Sequence, residues 1–379
     1  MEAYLDNSAT TPVCPEAVKA VNNVLTNYWG NPSSLHYGGI EAAQVLDNAR
    51  HSIARTLSCD DDEIIFTSGG TEANNLAVFG AAHAYRSRGM RIIISSVEHP
   101  SVNEPVNQLE KQGYDVIRLH TDKECRFDER QLLAAVNSAT SLISIMAVNN
   151  EVGTIQAVEK IKQAVRRFNA PALIHCDAVQ AFGKIPLKPS ALGVDLMTVS
   201  SHKIHGPKGA GALYVRKGVK IAPHIFGGGQ EQGRRPGTEP LPAIAGFAAA
   251  ADALPDIRIQ LEKTTQLRDY MLGRLSELNN IVVNSPEDAL PYVTNISVLG
   301  IPSEVMLNYL SEMNIYVSGG SACSKGKRSR VLSAMNLEQE RINSAIRISF
   351  SRYTTKAEID YLIEGISSAQ KSIMKRTFK

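Results

Sequence analysis

Short apolar runs recur along the first two-thirds of the chain, and they limit its possible folds more than any other feature. The runs are rich in β-branched and aliphatic residues, which is typical of strands buried on both faces of a parallel sheet. They are "EIIF" before Thr67, "RIII" at Arg91, "DVIRL" at Asp115, "LISIMAV" at Leu142, "ALIHC" at Ala172, "DLMTV" at Asp195 and "GALYV" at Gly211. Helical patterns separate many of these runs, and that alternation predicts a wound α/β domain.

Two of the intervening segments show clear helical periodicity. In 40–57, one face is predicted to hold Ile40, Ala43, Leu46, Ala49, Ile53 and Leu57. In 158–168, the corresponding face is predicted to hold Val158, Ile161, Val165 and Phe168. We expect both helices to bury these faces.

The composition changes after "GGGQEQGRRPGTEPLP". A long charged helical pattern begins at Asp256, strand patterns follow in "TNISVLG" and "NIYVSGG", and "KAEIDYLIEGISSAQKSIM" reads as a closing helix. We therefore predict a large α/β domain over 15–255 and a small α+β domain over 256–379. The N-terminal arm, 1–14, is predicted to associate with the small domain.

Composition and charge exclude several classes of protein. The 379 residues are 43% hydrophobic and 21% charged, and 40 basic against 38 acidic residues give a net charge of +2. This balance gives no electrostatic reason to expect nucleic acid or an anionic membrane as a partner. The stretch "IAGFAAAADAL" is too short for a membrane span and contains Asp252.

The cysteines and the first residues indicate the compartment. The five cysteines are scattered without C-x-x-C spacing, so neither a disulfide framework nor a zinc module is expected. The opening "MEAYLDNSATTP" has no basic segment followed by an apolar run, so no secretory signal is expected. A reducing, cytoplasmic setting fits both observations best.

Three polar stretches follow predicted strands. Gly69, Gly70 and Thr71 open an apolar helix, and such a glycine turn presents backbone N–H groups suited to a phosphate. Asp177 follows a buried strand at its carboxyl end, where open α/β sheets bind ligands. Each feature also has a plain structural interpretation, because Thr71 or Asp177 could simply cap a helix.

The third stretch, "SSHKIHGPKG", places Lys203 at a strand end. Desolvation there would make the lysine a nucleophile toward a carbonyl, although a surface loop lysine is the plain alternative. Zinc bound by His202, His205 and His175 is a weaker interpretation, because Gly206-Pro207 breaks the helix that such spacing needs. Together, a phosphate cradle, a strand-end Asp and a strand-end Lys match the needs of pyridoxal 5'-phosphate (PLP).

With these stretches in view, the sequence closely resembles the cysteine desulfurases of the NifS/IscS type. These form part of the class V aminotransferase family of fold-type I PLP enzymes. The resemblance runs along nearly the whole chain and rests on "YLDNSATTP", "NPSSLH", "FTSGGTEANNLA", "VEHPSV", "NNEVGTIQ", "HCDAVQAFGK", "SSHKIHGPKG", "GGGQEQGRRPGT" and "SGGSACS". It implies that 15–255 binds PLP and that the protein is a homodimer with active sites near the subunit interface.

The resemblance implies a role for each residue around the cofactor ring. Lys203 would form the Schiff base with PLP, and Asp177 would pair with the pyridinium nitrogen. Gln180 would bond the phenolic oxygen of the ring, with Asn150 at the same edge. His99 would stack on the ring and help to move protons. For His99 and Asn150, ordinary structural hydrogen bonding is the alternative.

The resemblance assigns the phosphate to Gly70, Thr71, Ser200 and His202, with Thr238 reaching it from the partner subunit. Two positions depart from the family pattern. Pro236 stands where the family commonly has serine, which removes one possible hydroxyl near the phosphate, and Ser351 stands where glycine is usual.

Arg347 and Cys323 complete the implied site. Arg347 in "IRIS" would bind the substrate carboxylate in bidentate fashion, with a surface ion pair as the alternative. Cys323 lies in a polar, basic stretch where an apolar cysteine is out of place. The resemblance makes it the sulfur acceptor, able to carry a persulfide to another protein or to ligate an iron–sulfur cluster transiently. No resident metal is expected.

The activity that the resemblance implies is conversion of L-cysteine to L-alanine. The sulfur would pass through Cys323 to an iron–sulfur scaffold or a tRNA-thiolation enzyme. A selenocysteine lyase, or another class V PLP lyase or aminotransferase, is the alternative within the same cofactor class. A sulfur-relay or scaffold protein without catalysis is the alternative from another class, and Lys203, Asp177 and Cys323 argue against it.

Overall fold

The computed structural model describes residues 1–319 and 329–377, and side chains as far as Ile373. The strands are β1 (Ala3–Tyr4), β2 (Ile64–Thr67), β3 (Arg91–Ser95), β4 (Asp115–Leu119), β5 (Thr140–Ser144), β6 (Leu173–Asp177), β7 (Leu196–Ser200), β8 (Gly211–Val215), β9 (Ile281–Val283), β10 (Val293–Val298), β11 (Ile315–Tyr316) and β12 (Ala345–Ser349). The helices are α1 (Pro15–Asn27), α2 (Tyr37–Leu57), α3 (Gly70–Ala84), α4 (Pro100–Lys111), α5 (Glu129–Ala135), α6 (Glu159–Arg167), α7 (Pro189–Leu192), α8 (Leu241–Asp252), α9 (Ile257–Leu275), α10 (Ser303–Glu312), α11 (Arg330–Ala334), α12 (Gln339–Asn343) and α13 (Lys356–Thr377).

All seven apolar runs of the first two-thirds form strands of one sheet. Its order is β2-β8-β7-β6-β5-β3-β4, and every pair is parallel except those of β8 with β2 and β7. The strands β5 to β8 are buried at every position, because helices cover both faces of the sheet. The predicted α/β class with a mostly parallel sheet is confirmed.

The helical predictions hold for the elements but not for every side chain. Helix α2 buries Leu46, Ala49, Ile53 and Leu57 as predicted. Near its N-terminus, however, the buried face includes Ala42 and not Ile40. Ile40 is 58% exposed and Phe168, which follows α6, is 39% exposed, so both predictions of burial are wrong. Each lies at one end of its predicted segment, with Ile40 in the first turn of α2 and Phe168 directly after the last residue of α6.

The C-terminal part of the chain has its own sheet and core. Strands β12, β10 and β9 form an antiparallel sheet, and α9, α10 and α13 pack with it around residues such as Ile296, Leu310 and Ile366. The N-terminal arm reaches this core, because β1 pairs in parallel with β11 and both Ala3 and Leu5 are fully buried in the cluster. The division at residue 255 stays a prediction, since Leu290, Tyr292 and Val293 belong to the core of the large sheet.

Two neighbouring parallel strands end at the same edge of the large sheet. Strand β6 ends at Asp177 and β7 ends at Ser200, and the 3-10 turn Ser201–Lys203 follows β7 directly. The edge where parallel strands end is the usual ligand site of an open α/β sheet. Among the described residues, no helix combines the length and the apolar character needed to cross a bilayer.

Candidate active site

A cavity of about 1100 Å³ opens at this edge of the sheet. Ten of the predicted site residues line it: Gly70, Thr71, His99, Asn150, Asp177, Gln180, Ser200, His202, Lys203 and Arg347. Residues of the arm, from Ser8 to Thr10, form part of the wall, and Arg330 and Val331 contribute another part. The fold therefore brings together residues as far apart in sequence as Ser8 and Arg347.

Asp177 is held at the end of β6 by two hydrogen bonds. Its Oδ1 accepts from the backbone N–H of Val179 at 3.0 Å, and its Oδ2 accepts from Nδ2 of Asn74 at 2.7 Å. Asn74 lies in α3, is 1% exposed and also donates to Oγ of Ser101 at 2.8 Å. The carboxylate thus has a fixed orientation at the cavity wall, suited to a cationic ring nitrogen.

Lys203 ends the short turn that follows β7. Its Nζ donates to the carbonyl oxygens of Ser8 and Ala9 at 2.5 and 2.7 Å. Two carbonyl acceptors from the N-terminal arm therefore hold the ammonium group at the cavity. The arm binds Lys203 through backbone carbonyls, which every residue type has. The identities of Ser8 and Ala9 in the sequence therefore do not predict this contact.

The start of α3 forms a cradle close to β7. A methyl group added at Gly70 would lie 2.9 Å from Cγ2 of Val179, so only glycine lets the helix approach this closely. Ser200 is fully buried, and its Oγ has no hydrogen-bond partner among the described residues. Backbone N–H groups at a helix start and a hydroxyl without a partner are donors suited to a phosphate.

His202 lies next to this cradle. Its Nδ1 is 3.2 Å from Oγ1 of Thr10. Burial, followed by the positive charges of Lys203 and Lys208, lowers the pKa of His202 to about 4. The imidazole is therefore neutral at pH 7, so it can contribute a hydrogen bond but no charge.

His99 caps the N-terminus of α4 and lines the same cavity. Its Nδ1 lies 2.7 Å from Oγ of Ser101. The same Oγ accepts from Asn74, so Ser101 connects the His99 ring to Asn74. Burial lowers the pKa of His99, Lys203 and Arg330 lower it further, and Asp177 opposes them. A neutral imidazole at the cavity wall is able to accept a proton.

Glu98, beside His99, is a buried acid that the sequence did not single out. It is 1% exposed, and its Oε1 accepts from Oγ of Ser95 at 2.5 Å and from the N–H of Met146 at 3.0 Å. Its Oε2 has no partner within the described parts of the chain. Burial raises the pKa of Glu98 to about 8, so the side chain is mostly protonated at pH 7.

Arg347 lies in β12 with its side chain almost fully buried. Its Nη1 donates to the carbonyl of Asn150 at 2.9 Å, and its Nη2 donates to Oδ1 of Asp6 at 2.8 Å. Its Nε has no partner among the residues described. A guanidinium with an unused N–H at a cavity wall is able to bind a carboxylate.

Cys323 lies outside the described residues, and the chain is described again from Ser329. Ser329 donates from Oγ to Oε2 of the buried Glu151 at 2.5 Å, and Arg330 donates from Nη2 to the carbonyl of Glu98. These contacts fix Ser329 and Arg330 beside the cavity wall.

Thr238 does not line the cavity of its own chain, and it is exposed. Its segment is fixed nearby by a paired contact, in which Arg235 donates from Nε to Oε1 of Glu72 in α3 at 2.7 Å. Pro236, which lies between Arg235 and Thr238 in the sequence, is buried. The predicted role of Thr238 in a partner subunit's site stays a prediction.

The zinc interpretation finds no support among the described residues. His175 is fully buried in the sheet, 2.8 Å from Oγ of Ser144 and 3.0 Å from Oγ1 of Thr198. His205 lies 2.9 Å from the carbonyl of Pro12. Nowhere in residues 1–319 and 329–377 are three His, Cys, Asp or Glu residues grouped so that they could hold a metal ion.

The donor set fits PLP. Ser200 and the start of α3 offer donors for a phosphate at one end, and the fixed carboxylate of Asp177 suits a protonated ring nitrogen. Lys203 offers an amine, and the cavity is large enough for the cofactor and an amino acid. The Oγ of Ser200, which has no partner among the described residues and lies in the cavity wall beside the start of α3, is placed to donate to such a phosphate.

Sequence reasoning missed three residues of this wall, Asn74, Glu98 and Glu151, and two residues that bond to it from outside the cavity, Asp6 and Lys184. A polar Asn74 on the buried side of an apolar helix was a signal that could have found one of them. For Asp6 and Lys184 there is no comparable local signal, since charged residues near turns are usually solvated.

Comparisons with known proteins identify the family of the chain. The model of the aminotransferase class-V family matches residues 3–362. A protein of Dictyoglomus turgidum named cysteine desulfurase IscS is 41% identical over 368 residues, covering 96% of this chain and 93% of that protein.

Solved structures give the same result. A NifS-like protein superposes with a TM-score of 0.93 and 37% identity, covering 98% of this chain and all of the other. A structure described as SspA in complex with cysteine has a TM-score of 0.83 and 33% identity, covering 93% of this chain and all of that chain. The chain therefore belongs to the aminotransferase class-V family, and within it to the cysteine desulfurases of the NifS/IscS type.

Proposed function

We propose that this protein is a PLP-dependent cysteine desulfurase that converts L-cysteine to L-alanine and passes the sulfur to Cys323. The observation that supports this most strongly is that Asp177, Lys203 and Arg347 all line one cavity. These three provide an anion for a ring nitrogen, an amine for an aldehyde and a cation for a substrate carboxylate. The names of the relatives agree with this activity.

The residues proposed to hold PLP all line the cavity. Gly70, Thr71, Ser200 and His202 would bind the phosphate, Lys203 the aldehyde carbon, and Asp177 the ring nitrogen. Gln180 would donate to the phenolic oxygen, and His99 would lie against the ring. PLP, when bound, supplies an electron sink that weakens the bonds around the α and β carbons of an amino acid.

Arg347 is proposed to bind the substrate carboxylate, with Asn150 at its side. Its Nε is buried and has no partner among the described residues, so a carboxylate would satisfy a donor that is otherwise costly. Lys203 and His99 are proposed to move the protons. A neutral His99 is suited to take one, and Nζ of Lys203 is held at the cavity by two backbone carbonyls.

Cys323 is proposed as the sulfur acceptor. Its thiolate would form a new S–S bond with the substrate sulfur while the Cβ–S bond of the substrate breaks. The electron pair of the broken bond remains with the carbon, which takes up a proton and leaves as L-alanine. The contacts of Ser329 and Arg330 at the cavity wall support this role, because these two residues follow Cys323 closely in the sequence.

The finer points of function are proposed on the resemblance. The persulfide would be passed to an iron–sulfur scaffold or a tRNA-thiolation enzyme in the cytoplasm. The protein would act as a homodimer, in which Thr238 serves the partner subunit's site. Exposed apolar side chains around the start of α2 support a dimer, since Trp29 is 83% and Leu35 96% exposed.

The test is a paired assay of the wild type and Cys323→Ala loaded with PLP. L-cysteine is added with a thiol reductant, and cofactor absorbance, L-alanine and sulfide are measured. We expect the wild type to form both products in equal amounts. Cys323→Ala should change the cofactor spectrum on adding L-cysteine yet release little sulfide, because only the acceptor is lost.

A variant as active as wild type would contradict the role of Cys323. A wild-type protein that takes up PLP but turns over L-selenocysteine and not L-cysteine would indicate a selenocysteine lyase. Transfer of an amino group to a 2-oxo acid without sulfide would indicate an aminotransferase. A protein that does not take up PLP would overturn the proposed function altogether.

A further inference from the structure

We propose that Lys184 is a positioning residue that fixes the orientation of the Gln180 amide at the active-site wall. The inference rests on the proposed function, because it assigns to Lys184 the task of presenting an N–H of Gln180 to the phenolic oxygen of PLP. Lys184 does not line the cavity itself and acts only through Gln180.

Backbone geometry places the two side chains next to each other. The chain after Asp177 makes helical turns, in which the N–H of Phe182 bonds to the carbonyl of Ala178 and that of Ile185 to Ala181. Residues four apart on such turns lie on one side. Nζ of Lys184 accordingly lies 3.2 Å from Oε1 of Gln180, and both side chains are 6% exposed.

The two neighbours of Gln180 leave its amide only one favourable orientation. A lysine amine is a hydrogen-bond donor toward this oxygen, and the carbonyl of Ser8 is only an acceptor. The amide therefore turns Oε1 to Lys184 and Nε2 to Ser8, at 2.9 Å. Its second Nε2 hydrogen is left for a ligand oxygen at the cavity wall, and an inverted amide would present an acceptor there instead.

The surroundings of Lys184 make its presence costly, which argues for a specific task. Its Nζ lies 5.7 Å from the centre of the Tyr292 ring, and no carboxylate pairs with it among the described residues. Burial, together with the positive charges of Lys203 and Arg347, lowers the pKa of Lys184 to about 7. A methionine would fill this space at a smaller desolvation cost, but it could not donate to Gln180.

The same short network reaches the catalytic lysine. The carbonyl of Ser8 accepts from Gln180 Nε2 and also from Lys203 Nζ at 2.5 Å. Inverting the Gln180 amide would place its oxygen against that carbonyl, and the repulsion would displace the arm residue that holds Lys203. The orientation set by Lys184 therefore bears on both the cofactor ring and the lysine.

The test uses wild type, Lys184→Met, Lys184→Arg, Gln180→Ala and the double variant Lys184→Met/Gln180→Ala. Each is purified, saturated with PLP and titrated by absorbance, and the pH midpoint of the bound cofactor's spectral change is recorded together with its dissociation constant. Lys188→Met, at an exposed lysine four residues further on, is the matched control. Thermal unfolding of each protein without PLP checks that it is folded.

We expect Lys184→Met to raise the spectral midpoint by about one pH unit, since the phenolic oxygen loses a donor, and to weaken PLP binding several-fold. Lys184→Arg should keep the spectral midpoint and the PLP affinity close to those of the wild type. Lys188→Met should change neither the midpoint nor the affinity. In the Gln180→Ala background, Lys184→Met should have no further effect, because its action passes through the amide.

Equal shifts in both backgrounds would overturn the inference and indicate a direct charge effect of Lys184. An unchanged midpoint in a folded Lys184→Met protein would overturn it as well. These outcomes differ from failure of the proposed function, in which the wild type itself shows no bound-cofactor absorbance.

Discussion

Asp6 and Arg347, 341 positions apart, form an ion pair in which Nη2 of Arg347 donates to Oδ1 of Asp6 at 2.8 Å. The arginine side chain is 2% exposed and that of the aspartate 21%. The cation proposed to bind the substrate carboxylate thus already has a carboxylate on one side. That partner fixes the guanidinium plane, and it also competes for its positive charge.

Replacing Arg347 by lysine should impair substrate binding. Lysine keeps the charge but loses the planar pair of donors, so we expect kcat/KM for L-cysteine to fall about 30- to 100-fold, mostly through KM. Asp6→Asn is the control, because it keeps an acceptor for Arg347 and removes the competing charge. We expect it to lower KM a few-fold, and an unchanged KM in both variants would assign the pair to stability alone.

Asn74→Ala should weaken cofactor binding and folding together. It removes the donor to Asp177 Oδ2 and the donor to Ser101, leaving a buried carboxylate with one fewer hydrogen bond. We expect unfolding free energy to fall by about 1–3 kcal/mol and PLP affinity to fall about tenfold. Urea denaturation and equilibrium dialysis measure the two. Asn75→Ala, which loses a bond to the carbonyl of Thr71 in the same helix, should leave PLP affinity close to wild type.

Ser200→Ala should affect stability and cofactor binding in opposite directions. Without PLP, its Oγ is buried with no partner in the described chain, so removing it should leave stability unchanged or raise it by up to about 1 kcal/mol. With PLP, the lost phosphate contact should weaken binding about tenfold. Thermal unfolding with and without PLP separates the two effects, and equal loss in both conditions would rule out a phosphate role for Ser200.

Glu98→Gln should remove a pH dependence of stability. Burial raises the pKa of Glu98 from 4.5 to about 8, so between these values the folded state binds a proton that the unfolded state has lost. The wild type therefore loses the stability contributed by this group as pH rises from about 4.5 to 8, and the variant does not. Urea unfolding at pH 5, 6.5 and 8 measures the difference. The free energy of unfolding of the wild type minus that of the variant should therefore fall with pH. If this difference stays flat or rises, Glu98 is not protonated in the folded state.

Trp29→Glu should weaken the proposed dimer. Trp29 is 83% and Tyr37 75% exposed, and their segments lie together, since a methyl group at Gly30 would clash with the carbonyl of Gly38. A buried charge at such a patch opposes association, so we expect monomer to appear at micromolar concentration in sedimentation experiments. Exposed Ile259 of α9 provides the control as Ile259→Glu, which should leave the association state unchanged.

The sequence by itself determined the sheet and most of the site. Short apolar runs rich in β-branched residues favour buried strands, and all seven runs form strands of one sheet. Family motifs named ten residues that line one cavity. The ends of helical patterns were less reliable. Ile40 fits a buried period, yet it is exposed, because periodicity records a helix face and not how far the neighbouring layer extends.

Only the tertiary structure decided what holds the named residues in place. The carbonyls of Ser8 and Ala9 bind Lys203, and Asn74 fixes Asp177, through contacts that cross more than 100 positions of sequence. A backbone carbonyl has no residue type to recognise, and a single Asn or Lys has many plain uses. Such partners become visible only when folding brings them within hydrogen-bond distance, because hydrogen-bond energy depends on geometry that spacing along the chain does not encode.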